Sequence, residues 1–67
     1  MRVVLKKARE ESNYTVKEIA ESINISEDYY YKIEAKTRNP SIKVAKRLEM
    51  FFNKPMEELF SDIFEEV

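Results

Sequence analysis

The segment Thr15–Glu34, TVKEIAESINISEDYYYKIE, contains the signals for two helices separated by a short break. Thr15 and Glu18 form a capping-box pattern, in which each side chain accepts a hydrogen bond from the other residue's backbone amide. Apolar residues at helical spacing follow from position 19. After the break at residues 24–25, Ser26 can cap the second helix, and the two carboxylates behind it suit a helix N-terminus. The segment therefore predicts two helices joined by a tight turn.

The rest of the chain predicts three more helices with short connections. The first covers about Val3–Ser12 and the fourth about Ser41–Phe52. The fifth follows Pro55 and has apolar residues three and four positions apart. Asn39-Pro40 marks a loop between the third and fourth helices, because the residue before proline avoids helical angles. The sequence therefore predicts an all-α fold, a five-helix bundle in a single domain over residues 1–67.

The composition narrows the possible functions. The chain has 67 residues and contains no cysteine and no histidine, which removes disulfides, thiolate metal sites and the commonest general base. It has no glycine-rich phosphate loop and no apolar run of the length that spans a membrane. We therefore expect a small cytoplasmic protein that is not an enzyme, with no metal, cofactor or small-molecule ligand.

The absence of glycine raises the question of how the helices end. Helices commonly end on a residue with left-handed backbone angles, most often glycine. Asparagine adopts these angles next most readily, and Asn13, Asn24 and Asn53 each fall at a predicted break. We predict that these three residues terminate helices, although ordinary polar loop residues are also often asparagine.

The net charge of −1 conceals two unequal parts. Residues 1–47 hold 11 Lys/Arg and 7 Asp/Glu, a net of +4, whereas residues 48–67 hold one lysine and six acidic residues, a net of −5. Such asymmetry suggests a basic working surface and an acidic end, although chance in a charge-rich chain explains it equally well.

The helical pattern resembles the helix-turn-helix of the Cro/repressor-like family of small bacterial and phage regulators, also called XRE-type. The resemblance covers nearly the whole chain, through LKKAR (Leu5–Arg9), TVKEIAESINIS, YKIEAKTRNPS and PMEELF, in the family's usual order and spacing. It implies the phage-repressor type of DNA-binding bundle, with its helix-turn-helix at about residues 15–34.

The resemblance also implies structural roles for several residues. Ala20 is the small residue that lets the two helices approach closely. Tyr30 stands at a core position where the family usually has isoleucine or valine. Arg9 and Glu34 match a pair that commonly forms a salt bridge in the family. Lys36 stands where the family usually has glycine, which suggests a loop of different shape after the third helix.

By the same resemblance, the helix from residue 26 to residue 34 lies in the DNA major groove. The residues placed to read bases are Glu27, Asp28, Tyr29, Tyr31 and Lys32, and those placed near phosphates are Thr15, Val16, Lys17, Ser26, Lys36, Arg38 and Lys43. Lysine can donate to guanine and a carboxylate can accept from cytosine. The alternatives are plain helix capping for the two carboxylates, packing for the tyrosines and a solvated face for the lysines.

The last predicted helix, about residues 55–66, offers more apolar surface than one small bundle can bury. We expect it to form a dimer interface through Phe60, Ile63, Phe64 and Val67. The alternative is one longer helix folded over the core. The sequence as a whole favours a homodimeric regulator that binds an inverted repeat in double-stranded DNA. The second interpretation is a protein-interaction module, such as an antitoxin or the partner subunit of a repressor.

Overall fold

A computed structural model describes residues 1–64, and within this range the backbone forms six helices and no strand. The helices are α1 (Val3–Ser12), α2 (Val16–Ser22), α3 (Glu27–Glu34), α4 (Ile42–Phe52), α5 (Met56–Leu59) and α6 (Ser61–Phe64). They surround one core, with a Cα radius of gyration of 10.7 Å. The predicted all-α class is confirmed.

Side-chain caps fix the start of three helices. The Thr15 hydroxyl accepts from the Glu18 amide at 3.1 Å, and the Glu18 carboxylate accepts from the Thr15 amide at 2.8 Å, so the capping box at α2 is complete. Ser26 accepts from the amide of Tyr29 at 3.0 Å and starts α3. Ser41 starts α4 in the same way. Each cap gives a hydrogen-bond partner to a backbone amide that has none within its helix.

Four residues have left-handed backbone angles: Asn13, Asn24, Lys36 and Asn53, with φ of 64°, 60°, 69° and 54°. The three asparagines lie where the sequence predicts helix ends. Lys36 lies in the loop where the sequence suggests a shape different from that usual in the family, yet its backbone angles give no sign of a difference. Lys36 takes the angles that a glycine would take, at a cost of about 1–2 kcal/mol for a residue with a Cβ.

The hydrogen bonds around Lys36 explain why the chain accepts this cost. The amide of Thr37 donates to the carbonyl of Lys32 at 3.0 Å, and the amide of Lys36 donates to that of Ile33 at 3.2 Å. This is the Schellman arrangement, which satisfies the free carbonyls of a helix end. The turn after α2 has the same pair of bonds around Asn24. The two helices of the helix-turn-helix, α2 and α3, therefore both end in a Schellman turn that contains no glycine.

The core is built from all the long helices and from α5. Ala20 in α2 has only 1% of its surface exposed. Its small side chain allows α2 and α3 to pack closely together. Tyr30 is fully buried, in agreement with its predicted core position. The buried apolar residues are Leu5, Ala8, Val16, Ile19, Ala20, Ile23, Tyr30, Ile33, Val44, Ala45, Leu48, Leu59 and Phe60.

The predicted fifth helix is two short helices, because the backbone leaves helical geometry at Phe60, with φ −125° and ψ 46°. Leu59 and Phe60 are both buried, at 2% and 0% exposure. Neighbouring residues on a straight helix project about 100° apart, so a break helps both to enter the core. Phe60 is therefore a core residue, and its predicted place on an exposed interface is wrong. Ile63 and Phe64 are half-buried, and Val67 lies outside the described residues.

Candidate nucleic-acid interface

The exposed face of α3 carries four of the five residues predicted to read bases. Glu27, Asp28, Tyr31 and Lys32 are all exposed, and Tyr31 has 54% of its surface accessible. The opposite face holds Tyr30 and Ile33, both fully buried. The helix therefore presents a polar and aromatic face of about two turns that the core does not use.

The acidic start of α3 is partly neutralised within the helix. The Asp28 carboxylate lies 2.9 Å from the Lys32 ammonium, one turn further along, and both side chains are well exposed. Exposed pairs at this spacing contribute only about 0.3–0.5 kcal/mol. Lys32 can therefore leave Asp28 for a base or a phosphate at small cost. The same pair also lowers the repulsion that a free Asp28 would cause near a polyanion.

Tyr29, the fifth predicted base reader, is engaged within the protein. It is half-buried, and its hydroxyl accepts from the amide of Ser41 at 3.3 Å. The Arg38 guanidinium lies over its ring, 5.6 Å from the centroid. These contacts join α3 to the loop that follows it and to the start of α4. Tyr29 therefore supports this loop, and its predicted base-reading role stays a prediction.

The residues predicted to contact phosphate fall into two groups. The side chains of Lys17, Lys36, Arg38 and Lys43 are exposed and can reach outward. Thr15 and Ser26 use their hydroxyls as helix caps. Val16 is 6% exposed, which leaves its backbone amide, in the first turn of α2, as its polar contribution. The cations flank α3 on the chain segments before and after it, as phosphate contacts around a groove-bound helix require.

A bidentate ion pair, with two hydrogen bonds between Arg9 and Glu34, joins α1 to the end of α3. Arg9 Nε lies 3.0 Å from Glu34 Oε2, and its terminal Nη2 lies 2.9 Å from Oε1. The Glu34 side chain is 5% exposed and that of Arg9 is 23% exposed. The hydrogen bond with Glu34 raises the pKa of the Arg9 guanidinium above its ordinary value. The pair holds the end of α3 against the core.

The Tyr30 hydroxyl is buried beside this pair without a hydrogen-bond partner among the described residues. Burial is the main cause that raises the pKa of Tyr30 above its usual range. The charges of Glu34 and Arg9 act on it in opposite directions. The phenol therefore stays neutral in the folded protein, and its oxygen is an unsatisfied polar atom in the core.

We expect Tyr30→Phe to raise the free energy of unfolding by about 1 kcal/mol at neutral pH, because it removes an unsatisfied buried hydroxyl. The difference between the two proteins is constant below pH 10. Above pH 10, tyrosine in the unfolded chain ionises while the buried Tyr30 stays neutral, so the wild-type protein loses stability with rising pH more steeply than the variant. Urea unfolding at pH 8 and pH 11 measures both effects. Equal pH slopes for the two proteins would contradict the assignment.

Sequence reasoning missed Arg2, whose side chain is 1% exposed. Its guanidinium donates to Asp62 in α6, to the carbonyls of Ile33 and Arg38, and to the Asn39 side chain. No local pattern in the sequence signals this, since Arg2 and Asp62 lie 60 positions apart.

A second arginine caps a helix inside the helix-turn-helix. The Arg47 guanidinium donates to the carbonyl of Ile23, at the end of α2, at 3.1 Å. Cations near the C-terminal end of a helix interact favourably with its dipole. Arg47, which lies in α4, therefore stabilises the turn between α2 and α3.

No group of three or more carboxylates is close enough to hold a metal ion within residues 1–64. In the same range no helix is long and apolar enough to cross a membrane.

The capped α2, the Schellman turn and the exposed α3 define a helix-turn-helix domain. Residues 5–59 match the family profile described as helix-turn-helix, and the chain belongs to this family. The resemblance to XRE-type proteins is therefore confirmed.

Two relatives indicate the kind of protein in which such a domain occurs. A putative HTH-type transcriptional regulatory protein of Methanocaldococcus jannaschii is 38% identical over 64 residues, which are 96% of this chain and 20% of that protein. YqaF, an uncharacterized HTH-type transcriptional regulator of Bacillus subtilis, is 44% identical over 48 residues, or 72% of this chain and 63% of YqaF. The chain thus spans less than two thirds of each relative. No solved structure matches the chain significantly.

Proposed function

We propose that the chain binds double-stranded DNA sequence-specifically and regulates transcription, as a cytoplasmic homodimer on an inverted repeat and without enzymatic activity. The observation that carries the proposal is the exposed face of α3, whose polar side chains have no role in the core. An α-helix fits the B-DNA major groove, and in this motif the start of the second helix meets the base edges. The names of the two relatives support the same function.

On this proposal, one group of residues reads the bases and a second group contacts the phosphates. Lys32 donates to guanine, Glu27 or Asp28 accepts from the amino group of cytosine, and Tyr31 contacts a thymine methyl or a phosphate. The affinity that is independent of sequence comes from cations on the flanks and from backbone amides at helix starts. These cations are Lys17, Lys36, Arg38 and Lys43.

The C-terminal segment supplies the dimer contact on this proposal. Ile63 and Phe64 are half-buried and carry apolar surface at the edge of the core. A twofold contact through them would cover this surface and place two α3 helices about 34 Å apart, one turn of DNA. The acidic residues of α5 and α6 then lie on the dimer side of the domain, which accounts for the division of charge along the chain.

Titration against a pool of random-sequence duplexes at two salt concentrations tests the proposal. Four phosphate contacts per chain give a slope of about −3.6 in log K against log salt, so affinity falls about 150-fold per chain between 50 and 200 mM. Lys43→Gln should reduce this slope by about one unit. Lys7→Gln makes the same charge change at an exposed residue of α1 that is not among the predicted phosphate contacts, and as the matched control it should leave the slope nearly unchanged. Absence of duplex binding at low salt would contradict the proposal.

A protein-interaction module, such as an antitoxin or the partner subunit of a repressor, is the second candidate. The observation in its favour is Met50, which is 81% exposed beside the half-buried Phe51 at the end of α4. A stable complex with a partner protein, together with no affinity for DNA at low salt, would favour this candidate over the first.

A further inference from the structure

The Arg2 guanidinium joins three segments of the chain. On one side, its Nε and Nη2 lie 3.2 and 2.9 Å from the two carboxylate oxygens of Asp62 in α6. On the other side, it donates to the last turn of α3 through the Ile33 carbonyl. It also binds the following loop, at 3.2 Å from the Arg38 carbonyl and 2.8 Å from the Asn39 side-chain oxygen. The Arg2 backbone amide adds a bond to the Glu34 carbonyl at 2.8 Å.

The loop that Arg2 holds is the one with the proposed phosphate contacts. Lys36 and Arg38 lie in it, and their side chains are exposed while the Arg38 carbonyl faces the buried guanidinium. The Arg38 side chain also rests on Tyr29, so the loop is fixed from its inner side by Arg2 and from α3 by Tyr29. Within residues 1–64, the hydrogen bonds of the Asp62 side chain go to Arg2. Arg2 is therefore the direct polar link from α6 to this loop.

We propose that Arg2 is a positioning residue for DNA binding, and that Asp62 acts through it to hold the loop of residues 36–39 in its phosphate-binding shape. The inference rests on the proposed function. A guanidinium suits this task because its donors form a planar fork that binds a carboxylate and carbonyls at the same time in fixed directions. Asp62 immediately precedes Ile63 and Phe64, so the link runs from the proposed dimer contact to the proposed DNA contact.

The sign of the expected effect separates this role from simple electrostatics. Removing a negative charge from a DNA-binding protein ordinarily strengthens binding, because repulsion from the phosphates falls. If Asp62 acts through Arg2, Asp62→Asn weakens binding instead. Asp62 is also the mild position to change, since its side chain is 30% exposed whereas that of Arg2 is 1% exposed.

The test compares Asp62→Asn with Glu57→Gln, which makes the same charge change at an exposed residue of α5. Duplex affinity is measured at fixed salt and at a protein concentration where each variant has the same oligomeric state. The amide resonances of Thr37, Arg38 and Asn39 are recorded without DNA. We expect Asp62→Asn to lower affinity about fivefold and to shift these resonances, while Glu57→Gln does neither.

A double-mutant cycle with Arg2→Lys tests whether the effect passes through Arg2. In the Arg2→Lys background, Asp62→Asn should change neither the loop resonances nor the affinity further. Arg47→Lys controls for a general loss of stability, because Arg47 also donates to a helix-end carbonyl, but to that of Ile23 at the end of α2. An affinity for Asp62→Asn equal to that of Glu57→Gln, or unchanged loop resonances, would overturn the inference. Failure of the wild-type chain to bind any duplex would instead contradict the proposed function.

Discussion

Replacing Glu34 by glutamine should lower the free energy of unfolding by about 3 kcal/mol, because it leaves the Arg9 guanidinium without its carboxylate partner. Removing one member of a buried pair costs about 3–5 kcal/mol. The lower end applies here, since the Arg9 side chain is 23% exposed and keeps some contact with water. A domain of this size has a total stability of about 3–10 kcal/mol, so the variant should lie near the limit of folding. Its melting temperature should fall by about 15 °C.

Urea unfolding followed by circular dichroism measures this effect, and the chain supplies its own matched control. Asp28→Asn breaks the ion pair with Lys32, in which the partners are 76% and 47% exposed. That change should cost no more than about 0.5 kcal/mol. The double replacement of Arg9 and Glu34 by methionine should recover part of the loss, because apolar groups of similar volume remove the unpaired charge. A difference of less than about 0.5 kcal/mol between Glu34→Gln and Asp28→Asn would show that burial does not strengthen the pair.

Local chemistry made most of the fold predictable. The caps at Thr15, Ser26 and Ser41 and the asparagines at three breaks act on the backbone within a few residues. A reader of the sequence can therefore place the start of each of the three helices that these residues cap, and three of the helix ends. The left-handed angles of Lys36 could not be predicted in this way. They are imposed by two backbone hydrogen bonds to the end of α3 and not by the conformational preference of lysine.

Contacts between residues far apart in the sequence were harder to predict. The Arg9–Glu34 contact, which joins residues 25 positions apart, entered through a family resemblance and not through any local pattern. No sequence pattern marks Arg2, because its partners Ile33, Asn39 and Asp62 are brought together only in the folded protein. The resemblance places Tyr29 beside the base-reading residues, and it does not show the hydrogen bond from the Ser41 amide that holds this side chain against the following loop.

We expect Phe60→Ala to lower the free energy of unfolding by about 3–5 kcal/mol, because the side chain is fully buried where α5 and α6 meet. The apolar spacing of residues 56–67 suggested a single helix with Phe60 at its interface. That pattern cannot reveal the backbone break at Phe60, which places this ring and Leu59 together in the core. The ring also supports the buried Arg2 guanidinium, whose central carbon lies 5.6 Å from its centroid.

Phe64→Ala is the matched change, four residues later on a half-buried ring. If Phe60 belongs to the core of one chain, the loss of stability caused by Phe60→Ala is the same at every protein concentration. If Phe64 belongs to the proposed interface, its main effect is a weaker dimer, and its apparent loss of stability depends on concentration. Thermal unfolding over a hundredfold range of concentration, with sedimentation of the folded proteins, separates the two. A concentration-dependent effect at Phe60 would return this residue to the interface, and the break between α5 and α6 would then serve assembly instead of folding.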